Sequence, residues 1–136
     1  MLRRLLGNTK RRLRLTQSLG AFTRPDHGDI SPLYVFFDVT NAGRESVKIA
    51  CAHVSPKEDS PAHSEPLEGE QSLPVTLEPG GNVRFWLRAK PLARNLEEAG
   101  HAGTPRLRFV VEDADANVYD KRFTFRAGEY LQLKDE

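Results

Sequence analysis

Hydrophobic and polar residues alternate with period two along most of this chain, the mark of β-strands that turn one face to a core. The clearest stretch is 33–40. Leu33, Val35, Phe37 and Val39 share one face there, and Tyr34, Phe36, Asp38 and Thr40 share the other. β-Branched and aromatic side chains, which suit a pleated half-buried surface, dominate it. Residues 41–46 (Asn-Ala-Gly-Arg-Glu-Ser) supply a turn. Residues 47–54 then return with Val47, Ile49, Cys51 and His53 on one face, which predicts an antiparallel hairpin.

The same grammar recurs on either side. Leu13 and Leu15 alternate with Arg12, Arg14 and Thr16, so a first strand is expected over about 11–20, after a short helical turn at 2–6. Residues 23–32, punctuated by Pro25 and Pro32, are turn chemistry, and 55–72 have little to bury and read as a mobile loop. A short strand at 73–77 leads to Glu78-Pro79-Gly80-Gly81, where Pro followed by Gly predicts a type II turn. In the return strand, 82–88, Val83, Phe85 and Leu87 oppose Arg84, Trp86 and Arg88. Residues 90–99 have helical spacing: Leu92, Leu96 and Ala99 lie on one face, Pro91 suits the first turn and Gly100 the C-terminal end. A last hairpin joins 106–113, with Leu107, Phe109 and Val111 inward, to 118–126, with Tyr119, Phe123 and Phe125 inward.

About seven strands separated by Pro, Gly, Asn and Asp predict an all-β, immunoglobulin-like antiparallel sandwich with one short crossover helix at 90–99. A small closed barrel has the same periodicity and is the alternative. Three stretches carry a family likeness. Residues 39–49 end one strand in Asn-Ala-Gly and begin the next with alternating Val and Ile. Residues 77–87 join Leu-Glu-Pro-Gly-Gly to Phe-Trp-Leu, and 111–119 form a hairpin through Asp-Ala-Asp-Ala-Asn. Over about 33–126 the chain resembles bacterial immunoglobulin-like and fibronectin-type domains. The resemblance implies an architecture and leaves function open. The helix and the N-terminal arm depart from a plain module of that kind.

Composition changes the picture in two places. The chain has 136 residues, 38% hydrophobic and 29% charged, with a mean hydropathy of -0.55, which fits one soluble domain. Its one cysteine, Cys51, cannot form an internal disulfide, and this fits a cytoplasmic location. No run approaches the roughly 18–20 apolar residues of a membrane span, and the basic start lacks the apolar stretch of a secretory signal. The charge is uneven. Arg3, Arg4, Lys10, Arg11, Arg12 and Arg14 fall within residues 1–14 without an acid, leaving fourteen bases against nineteen acids over 15–136. The expected organisation is a basic arm (1–10), a sandwich (11–126) and a polar acidic tail (127–136).

No catalytic, metal or cofactor signature emerges. His27, His53, His63 and His101 lack close ligand spacing, and Cys51 with His53 on one strand reads as packing. Asp113, Asp115 and Asn117 alternate as in a calcium loop. Positions six and twelve counted from Asp113, however, are Val118 and Thr124, where such a loop needs Gly and Glu. There is no activated nucleophile and no phosphate loop, so an enzyme is not expected. The expected function is a protein-interaction or structural module. It would contact a protein partner or another copy through a sheet edge and the basic arm. The candidate residues are Arg3, Arg4, Lys10, Arg11, Arg12, Arg14, Arg84, Trp86 and Arg88. The alternative is binding of nucleic acid or an anionic membrane surface through residues 1–14. Trp86 has two readings, a sticky surface anchor or a core residue, and the general burial of tryptophan favours the core.

Overall fold

The computed structural model describes residues 12–21, 32–56, 65–101 and 103–132. Two antiparallel sheets enclose one core. Sheet A takes β1 (Leu13–Gly20), β2 (Tyr34–Asn41), β7 (Asn82–Arg88) and β5 (Glu68–Gly69) in the order β1-β2-β7-β5. Sheet B takes β4 (Glu65–Pro66), β3 (Val47–Pro56), β8 (Arg106–Asp113) and β9 (Val118–Thr124) in the order β4-β3-β8-β9. A further short strand, β6 (Val75–Leu77), pairs with β3. Helix α1 (Ala89–Glu98) carries the chain from sheet A to sheet B, and a helical turn, α2 (Ala127–Tyr130), follows β9.

The alternation read in the sequence decides which side chains meet. Val35, Phe37 and Val39 of β2 and Val83 and Phe85 of β7 are buried against Leu107, Phe109 and Val111 of β8. The Phe37 and Phe109 rings stand 4.6 Å apart across the sandwich, and Phe123 meets Phe37 edge-on at 5.5 Å. Each such side chain contributes about 1.5–3 kcal/mol when fully buried. Helix α1 closes one end of this core with Ala89, Leu92, Ala93 and Leu96, one residue ahead of its predicted start. The segment expected to be a polar tail opens instead with α2, whose Ala127 and Tyr130 are buried. The Tyr130 ring packs edge-on to Phe125 at 4.9 Å.

Two polar residues organise the turns. Asn41 is fully buried. Its amide donates to the carbonyls of Glu45 (2.8 Å) and Leu77 (2.9 Å), and its side-chain oxygen accepts from Gly43 N–H (3.0 Å). Its backbone also exchanges hydrogen bonds with Gly80 and Gly81. The predicted turn at 78–81 is thereby fastened to the turn at 42–46. Gly81 N–H donates to Glu78 O, and Gly80 sits at φ +85°, the left-handed conformation the third turn position requires. At the other hairpin, buried Asp113 accepts from the backbone N–H of Asp115 and Asn117 (both 2.9 Å) and from the Asn117 amide (3.0 Å). The alternating Asp and Asn residues are therefore a self-bonded turn.

Three expectations need correction. The register of β3 against β8 shifts between Ile49 and Cys51, a β-bulge. The extra residue turns Cys51 outward and exposed and His53 half-out, while Ala52 and Val54 face the core. Residues 65–77, expected to be loop apart from a strand at 73–77, form the short strands β4, β5 and β6. Gly69 lies so close under Phe85 that a Cβ there would come within 2.6 Å of the ring. Trp86 is not in the core, because the buried set of β7 is Val83 and Phe85 and the tryptophan points the other way.

Candidate functional site

The outward residues of sheet A form rows across its strands. The β1–β2 and β2–β7 registers align Arg14, Thr40 and Asn82, then Thr16, Asp38 and Arg84, then Ser18, Phe36 and Trp86, then Gly20, Tyr34 and Arg88. Glu68 of β5 extends the third row beside Trp86. Antiparallel pairing puts directly opposed Cβ atoms about 5 Å apart, so each row is a chain of contacts.

Three aromatic rings occupy the middle of this face. Phe36 is only 5% exposed although it lies on the outer side. Tyr34 stacks against it at 6.1 Å, and the Arg84 guanidinium sits 4.7 Å from its ring centroid. That guanidinium also makes a two-pronged bond to Asp38, at 3.0 and 3.1 Å, which holds it over the ring and raises its pKa further. The Trp86 indole N–H donates to Glu68 at 2.9 Å, and Glu70 accepts from the Arg84 backbone N–H at 2.9 Å. Gly20 leaves room beneath the cluster, since a Cβ there would come within 3.1 Å of Phe36. The face is thus a packed, half-buried aromatic surface whose cations Arg14, Arg84 and Arg88 are interleaved with the acids Asp38, Glu68 and Glu70.

Of the residues singled out in the sequence, Arg14, Arg84, Trp86 and Arg88 come together on this face. Arg12 is exposed just before β1, where its carbonyl accepts from Ala42 N–H. Arg3, Arg4, Lys10 and Arg11 lie outside the described residues, as do His27 and His63. Phe36 and Tyr34 went unnamed as candidates, although the alternation already placed both opposite the core set. Edge strand β1 borders the face and leaves Leu19 46% exposed. On sheet B, partial burial and the charge of Glu112 raise the Cys51 thiol pKa. Among the described residues no three His, Cys, Asp or Glu side chains are grouped so as to hold a metal ion. No helix among them is long and apolar enough to cross a membrane.

No protein-family model matches the chain, and no curated protein sequence matches it. Among solved structures, a FixG-related protein from Vibrio parahaemolyticus aligns at 17% identity and a TM-score of 0.44, over 82% of this chain and 94% of that one. A candidate ApaA protein from Bordetella pertussis aligns at 10% identity and a TM-score of 0.44, over 87% and 95%. Neither likeness bears on what this chain does.

Proposed function

We propose that this chain is a non-enzymatic protein-interaction module of the cytoplasm. In this reading an immunoglobulin-like sandwich docks a protein partner, or a second copy, through the outer face of sheet A and its edge strand β1, with the basic arm leading into that edge. An immunoglobulin-like sandwich sets strands A-B-E-D against C-F-G. The orders β1-β2-β7-β5 and β3-β8-β9 support the assignment, with β4 and β6 as additions along the far side of β3.

The observation that carries the functional reading is Trp86, half-buried between Arg84 and Arg88 and beside Phe36 on an outward face. Tryptophan and arginine flanked by rigid aromatic packing make the anchors that dominate interface energies. The alternating acids favour a protein partner over nucleic acid. Arg84 is already committed to Asp38, and Asp38, Glu68 and Glu70 would face the phosphates. Sedimentation velocity over a wide concentration range, at low and high salt, tests the reading. Association by the full chain, or with a co-purified protein, should weaken at least tenfold in Trp86→Ala while the thermal transition stays cooperative. A strict monomer at every concentration, with no retained partner, overturns it.

A further inference from the structure

The outer face of sheet B is built differently. Its registers align Ser55, Arg108 and Arg122 in one row across β3, β8 and β9, and set Arg106 opposite Thr124 in the next. Three arginines therefore share two adjacent rows, and two of them stand directly opposed, an arrangement that destabilises a sheet unless an anion intervenes. Asp120 bonds Arg108 at 3.4 Å, whereas Arg106 and Arg122 are exposed and have no acidic partner among the described residues. These two arginines, Thr124 and positions 107 and 123 line a shallow pocket of about 230 Å³. On the far flank of Arg108, the Ser55 hydroxyl is buried without a hydrogen-bond partner among the described residues. A buried donor left unsatisfied costs about 1–3 kcal/mol.

We propose that this pocket binds the phosphate group of a small molecule. Arg106 and Arg122, both at the pocket, bring two positive charges that no acid of the described residues pairs, the complement of a phosphate dianion. Arg106 and Arg122 approach from adjacent strands to grip two of its oxygens, and the Thr124 hydroxyl donates to a third. The pocket's volume suits a compact phosphate, either the free ion or a small monoester. The site lies on the sheet opposite the Trp86 face and does not depend on the docking reading.

Titration of the full chain with phenyl phosphate and, in parallel, with inorganic phosphate, followed by amide NMR, tests the assignment. Saturable shifts confined to residues 106–108 and 122–124 are expected. They should weaken at least tenfold in Arg122→Ala and in Arg106→Ala and persist in Arg94→Ala, which removes an exposed arginine of α1. Tighter binding of phenyl phosphate assigns the site to monoesters, and equal binding assigns it to the free anion. Shifts that fail to saturate, or that survive Arg122→Ala unchanged, overturn the proposal.

Discussion

On sheet A the outward rows set cations beside an aromatic ring or an acid, whereas on sheet B three arginines share two adjacent rows and the one carboxylate that pairs with them, Asp120, stands in the row beyond. Both faces arise from the same two-residue period, so the contrast comes from content alone. The Asp38–Arg84–Phe36 stack and the Glu68–Trp86 bond leave sheet A close to neutral, stiff and rich in ring surface, properties that suit packing against another protein. Sheet B keeps charge in reserve around Arg106 and Arg122, which suits a small anion.

That contrast can be broken most forcefully at Phe36. If its ring is as tightly held as its 5% exposure indicates, Phe36→Ala should lower stability by about 3 kcal/mol in urea denaturation, a core-sized loss from an outer face. A change below about 1 kcal/mol would make sheet A an ordinary surface. Arg84→Met should cost about 1 kcal/mol. It removes a bidentate bond and a ring contact, but the Arg84 side chain is 42% exposed and solvent screening limits the pair's value. Chemical denaturation in low and high salt should show that loss shrinking as salt rises. On sheet B, Arg122→Thr should change stability by no more than about 0.5 kcal/mol, and towards stabilisation, because it relieves the opposition to Arg108. A clear destabilisation there would show that Arg122 is already neutralised and would erase the difference between the faces.

Much of this was legible from spacing. The inward-facing sets of β2, β7 and β8 are those the alternation picks out, because a strand with one face on the core has little freedom in which residues face in. The bulge at Ile49–Cys51 was not legible. Ala50, Cys51 and Ala52 are all small, so an extra residue among them leaves no mark on the hydrophobic pattern. The short strands at 65–77 escaped for a related reason. Glu68 and Gly69 have weak strand propensity, and their pairing is imposed by Phe85 and Trp86, which lie far along the chain. Trp86 was weighed by the habit of its residue type. What decides its place is the phase set by Val83 and Phe85, together with a glutamate eighteen residues earlier. Arg14, Arg84 and Arg88 could be named from the sequence, but their shared face exists only once β1 and β7 are registered on β2.

The Asn41 clasp has a consequence for how the molecule opens. One buried residue joins the turn after β2 and the end of β6 through its side-chain amide and the turn before β7 through its backbone, so elements of both sheets end on a single residue. Solvent cannot reach one of these turns without releasing the other. The amide protons of Gly43 and Gly80 should therefore exchange with deuterium at a common rate, as one cooperative unit at that pole of the molecule.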